Sequence, residues 1–133
     1  MPARILVIED NRANLDLVRY LLEFRGHEIL EADDGERGVA LAREKMPDLV
    51  ICDLQMPLLN GYEVVERLRA APETARLVVV ALTAFSMPHD RDKVLRAGFD
   101  GYLSKPIDPE TFIGSIEAYL PAVKRPAIPP PAG

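Results

Sequence analysis

Apolar residues in this chain come in two alternating patterns, and that alternation restricts the possible folds more than any other feature. Ile5-Leu6-Val7-Ile8, Leu49-Val50-Ile51-Cys52 and Leu77-Val78-Val79-Val80-Ala81-Leu82 are apolar at every position. Such runs fit strands covered by helices on both faces, as in a parallel sheet. Weaker strands fit Glu28 to Ala32 and Gly101 to Ser104. Between the runs, apolar residues fall three and four apart. Leu17, Val18, Leu21 and Leu22 predict one helix, Gly61, Val64, Val65 and Leu68 another, and Phe112, Ile113, Ile116, Tyr119 and Leu120 a last one. Less strongly patterned helices fit 35–45 and 88–97. Asp34, Asn60 and Asp108 stand where helix N-caps are wanted, and Pro109 falls at a first helical position. Gly26 and Gly98 stand where a helix ends on a left-handed residue.

Five strands and five helices in strict alternation, joined by right-handed crossovers, give an α/β doubly wound sandwich spanning residues 1–120. The 133 residues, 48% of them apolar, suffice for one such domain with one core. Sixteen Lys and Arg against 21 Asp and Glu leave a net charge of −5 with no basic patch, which argues against a nucleic-acid partner. Cys52 is the single cysteine, so neither a disulfide framework nor a thiolate zinc cluster is expected. Met1-Pro2-Ala3-Arg4 leads into only four apolar residues before Glu9-Asp10, unlike a signal peptide. No run approaches the roughly 20 apolar residues of a membrane span, so a cytoplasmic protein with no membrane contact is expected. Pro121 to Gly133 holds five of the 12 prolines and is expected to be an exposed, disordered tail.

In an open parallel sheet, ligands bind outside the carboxyl ends of the strands, where the strand order reverses. Here the first strand ends in Glu9-Asp10, the third in Asp53, the fourth in Thr83 and the fifth in Ser104-Lys105-Pro106. With the order 2-1-3-4-5, Glu9, Asp10, Asp53, Thr83 and Lys105 share one rim. Each has an ordinary alternative. Asp10 or Asn11 can cap the first helix, Asp53 can open a turn, and Lys105 can be a loop lysine. Their joint placement at neighbouring strand ends favours a site. Clustered carboxylates repel unless a cation is present, and an all-oxygen set suits Mg²⁺ better than zinc. Asp53 is then the best nucleophile for a phosphoryl group whose oxygens a hydroxyl and an ammonium would hold.

Four segments carry a family resemblance: Val7-Ile8-Glu9-Asp10-Asn11, Val50-Ile51-Cys52-Asp53-Leu54-Gln55-Met56-Pro57-Leu58-Leu59-Asn60-Gly61, Ala81-Leu82-Thr83-Ala84 and Tyr102-Leu103-Ser104-Lys105-Pro106. In order and spacing they resemble the receiver domain of two-component response regulators, over residues 3 to 120. Ala81 to Ile107 resembles single-domain regulators of the bacterial cell-cycle and differentiation type, and the family includes chemotaxis regulators. The resemblance implies a flavodoxin-like fold and phosphorylation of Asp53 by a sensor histidine kinase or histidine phosphotransfer protein. It implies Mg²⁺ bound by Asp10, Asp53 and the Gln55 main-chain carbonyl, with Glu9 acting largely through water. Thr83 and Lys105 would contact the phosphoryl oxygens, Lys105-Pro106 would be a cis peptide, and Thr83 with Tyr102 would form a switch. The downstream target would bind residues 88–120.

The acidic pair is Glu-Asp where many relatives have Asp-Asp, and the resemblance implies that Phe85 and Gln55 occupy positions that influence access of hydrolytic water in the family. An aspartate-nucleophile phosphatase of the haloacid-dehalogenase type is the enzymatic alternative. It wants Asp-x-Asp after its first strand, and Asp53-Leu54-Gln55 lacks the second acid. An FMN carrier shares the topology, but Glu9-Asp10 would repel the flavin phosphate. A phosphoacceptor signalling protein, not an enzyme of either kind, is therefore expected.

Overall fold

Each continuous apolar run becomes a strand of one sheet in the computed structural model, which describes residues 2–84, 88–126 and 128. In chain order the elements are β1 (Arg4–Ile8), α1 (Arg12–Phe24), β2 (Glu28–Ala32), α2 (Gly35–Lys45), β3 (Leu49–Asp53), α3 (Gly61–Ala70), β4 (Val79–Thr83), α4 (Pro88–Ala97), β5 (Gly101–Ser104) and α5 (Pro109–Glu117). All neighbouring strands run parallel, in the order β2-β1-β3-β4-β5. Side chains alternate across the pleat, so each run feeds two cores at once. Leu6, Ile8, Val50, Cys52, Val79 and Ala81 pack under α2, α3 and α4. Ile5, Val7, Leu49, Ile51, Val80 and Leu82 pack under α1 and α5.

The strand boundaries are set by hydrogen bonds rather than by the ends of the apolar runs. β4 starts at Val79, because the Leu77 N–H turns back to the Thr74 carbonyl. At the other end β3 and β4 extend by one residue to Asp53 and Thr83, which stay in the ladder as polar residues. Helix starts follow the side chains able to accept from orphaned N–H groups. Asp34 caps α2, Asp108 caps α5, and Asn60 with Glu63 forms a reciprocal capping box on α3. For α1 the cap is Asn11, whose side chain accepts from the Asn14 N–H, so Asp10 is not used in this way. Gly26 and Gly98 have φ of +89° and +117°, the left-handed turns that return the chain to β2 and β5.

Beyond residue 120 a short 3₁₀ turn spans Ala122–Lys124, and the Arg125 guanidinium donates to the Leu120 and Ala118 carbonyls. Arg25 donates to the Ile128 carbonyl at 2.6 Å, which ties that segment to the end of α1.

Candidate functional site

Because β1 and β3 are neighbours, the residues that follow β1 face the residue that ends β3. Glu9 is fixed by its N–H to the Ala32 carbonyl, and Leu54 by its N–H to the Leu82 carbonyl, both at 3.0 Å. Glu9, Asp10 and Asp53 each offer a carboxylate oxygen, all within 4.8 Å of one another. Lys105, just past β5, reaches across with Nζ 3.1 Å from Asp53 Oδ1 and 3.2 Å from Glu9 Oε2. Main-chain donors complete the arrangement: Asn11 N–H reaches Glu9 Oε1 at 3.1 Å and Gln55 N–H reaches Asp53 Oδ1 at 3.2 Å. Glu9 and Asp53 are buried, whereas Asp10 is exposed.

Three carboxylates and one ammonium leave local negative charge in excess. Burial, then repulsion from Asp53, pushes the Glu9 carboxyl up to about 7. Burial works against the charge on Lys105, but Glu9 and Asp53 hold its ammonium above its ordinary range. Glu9 Oε2 is buried with Lys105 as an ionic neighbour, yet it has no hydrogen-bond donor in alignment among the described residues. An acceptor in that state, beside two further carboxylates, fits a hard divalent cation coordinated by oxygen.

Thr83 is buried at the end of β4, and its carbonyl accepts the Lys105 N–H at 2.7 Å. Tyr102 pairs with Ala81 across the β4–β5 ladder and packs, half-buried, on the core under α2, α3 and α4. The Lys105–Pro106 peptide is cis. Gln55 is exposed, its N–H turned to Asp53. Phe85 lies outside the described residues. Sequence reasoning missed the Asn11 N–H on Glu9, because a main-chain donor leaves no mark in residue type, and the seating of Gly61 on Asp53, which a glycine permits. Asn60-Gly61 at the start of an apolar helical pattern was the available signal.

Residues 5–117 match the family described as the response regulator receiver domain. The chain belongs to this family. It is 38% identical over 120 residues to the polar-differentiation response regulator DivK of Brucella anthropi, covering 90% of this chain and 98% of the relative. DivK of Brucella ovis is similar to the same degree. Among solved structures, the chemotaxis response regulator CheY4 of Vibrio cholerae superposes with a TM-score of 0.85 at 28% identity, covering 90% of this chain and all of that one. The receiver domain of the sensor histidine kinase PA1611 of Pseudomonas aeruginosa superposes at 0.81 and 28% identity, covering 90% and 98%, and was crystallised with magnesium coordinated in its active-site cleft. This chain is thus a receiver-domain signalling protein of two-component systems, a phosphoacceptor module with the acidic cluster of the family. Among the described residues no helix is long and apolar enough to cross a membrane.

Proposed function

We propose that Asp53 is the phosphoacceptor and that its modification switches the surface formed by residues 88–120. A carboxylate oxygen of Asp53 attacks the phosphorus of a phosphohistidine on a sensor histidine kinase or histidine phosphotransfer protein. The P–N bond breaks, and the departing imidazole keeps the bonding electron pair and takes a proton. Asp10, Asp53 and the Gln55 carbonyl would hold Mg²⁺, with Glu9 acting through water; the ion supplies charge that offsets repulsion between carboxylate and phosphoryl oxygens. Lys105 pairs with a phosphoryl oxygen, and the Thr83 hydroxyl donates to another. Thr83, drawn toward the phosphoryl group, leaves space that Tyr102 fills by turning inward. The receiver comprises residues 1–120, with 121–133 as a tail, and acts in the cytoplasm through protein contacts, without nucleic acid or membrane.

The supporting observation is the Lys105 ammonium 3.1 Å from Asp53 Oδ1, with two further carboxylates in reach of one cation. The test is acetyl phosphate with Mg²⁺, followed by intact mass. One added phosphoryl group is expected, lost in Asp53→Asn and in EDTA. An adduct that survives either condition sinks the assignment.

A further inference from the structure

The first residue of α3 sits directly on the backbone of the residue that ends β3. A Cβ on Gly61 would lie 2.5 Å from the Asp53 carbonyl oxygen and 2.8 Å from Leu54 Cα. Both obstacles are main chain, so no change of rotamer makes room. The Gly61 N–H also donates to the Leu54 carbonyl at 3.1 Å. Neither side yields readily: Leu54 is bonded to the Leu82 carbonyl of β4, and α3 is anchored by the fully buried Val64, Val65 and Leu68. On either side of Leu54, the Gln55 N–H donates to Asp53 Oδ1 at 3.2 Å, and the Asp53 carbonyl accepts from Cys52 Sγ at 3.4 Å. Extra bulk at residue 61 therefore presses on the Asp53 carbonyl and Leu54 Cα, next to the Asp53 carboxylate and the Gln55 main chain. Gly101 is more tightly crowded, but its obstacle is the Tyr119 hydroxyl, a side-chain end, and Gly101 starts β5 whereas Asp53 ends β3.

We infer that Gly61 is a positioning residue, whose missing side chain lets α3 set the Asp53–Gln55 backbone and with it the groups that face the cation and the phosphoryl group. The inference rests on Asp53 being the phosphoacceptor. The experiment compares the full-length chain with Gly61→Ala and Gly101→Ala, below the melting temperature of each. Mg²⁺ affinity is read by calorimetry, and acetyl phosphate modification at saturating Mg²⁺ by intact mass. Gly61→Ala is expected to weaken Mg²⁺ binding and slow modification by about tenfold or more each, since small misplacements at a reacting centre have effects of that size. Gly101→Ala should lose melting temperature and change both by less than about threefold. If Gly61→Ala is incompletely folded, the titrations are repeated in trimethylamine N-oxide, which favours compact states without entering the site. Effects no larger than those of Gly101→Ala overturn the inference alone, provided the wild type is modified normally. A wild type that takes no phosphoryl group overturns the phosphoacceptor reading, and this inference falls with it.

Discussion

Glu9 makes the site sensitive to pH before any ligand arrives. Burial and Asp53 raise its carboxyl from 4.5 to about 7 in the folded chain, so the folded state holds a proton that the unfolded state has released. A raised carboxyl contributes stability at low pH that is lost as pH climbs through the folded value. The cation-free protein should therefore lose stability from about pH 4.5 to above pH 7 on account of Glu9. Glu9→Gln removes the buried charge and should raise cation-free stability at pH 8 by about 1 to 2 kcal/mol while weakening Mg²⁺ binding. Urea unfolding at pH 5 and pH 8, with and without Mg²⁺, checks this. Wild type and Glu9→Gln with the same pH dependence would show that the carboxylate repulsion is relieved in some other way.

At the scale of elements, Arg69 bonds α3 to the loop before β5, where Tyr62 of α3 also meets Phe99 edge to face. Arg69 donates through Nε and Nη2 to the Gly98 carbonyl, and through Nη1 to the Ala75 and Leu77 carbonyls. Its Nη2 also pairs with Asp100 at 3.0 Å, and the same Asp100 oxygen accepts the Val79 N–H that opens β4. One guanidinium thus fixes the end of α3, the start of β4 and the α4–β5 turn, with a planar geometry that lysine does not reproduce. Arg69→Ala leaves several partly buried acceptors without a donor and should cost about 2 to 4 kcal/mol. A lower urea midpoint with an unchanged slope is the expected observation. Arg69→Lys should recover only part of it. A loss under about 0.5 kcal/mol, the ordinary effect of a surface substitution, would mean that water replaces the guanidinium without penalty.

Over the whole molecule the two ends of the sheet are held differently. At the amino ends of the strands, Glu117 on α5 accepts from Arg25 at 2.7 and 3.0 Å and meets His27 Nε2 at 2.8 Å. His27 Nδ1 accepts the Ala3 N–H, so Nε2 carries the proton donated to Glu117. Burial acts against the Glu117 charge, yet Arg25 and His27 hold its carboxyl below the ordinary range. This staple joins α1, α5, β1 and β2. In α4, by contrast, Val94 is the only buried side chain among those described. Phosphorylation at the opposite end should therefore be felt mainly in α4 and β5, where little packing opposes a shift. A beryllium fluoride mimic with Mg²⁺ should move amide NMR signals across residues 88–120 and leave Ala3 and His27 nearly unchanged, and Thr83→Ala should blunt the response. Shifts confined to the strand ends beside Asp53 would rule out this coupling.

The strict alternation of apolar runs and helical stripes was enough to determine a parallel sheet covered by helices, because burial on both faces leaves few other arrangements for five such strands, and supposing the order 2-1-3-4-5 then placed Glu9, Asp10, Asp53, Thr83 and Lys105 on one rim. Capping chemistry is equally local, which is why Asp34, Asn60 and Asp108 were readable one helix at a time. Tertiary structure decided what depends on two distant segments at once. Glu9 is buried against Lys105, and Arg69 binds carbonyls of two loops. Residue type records which groups are available for bonding, whereas the close seating of Gly61 on Asp53, where an added Cβ would lie 2.5 Å from the carbonyl oxygen, exists only once β3 and α3 have packed together.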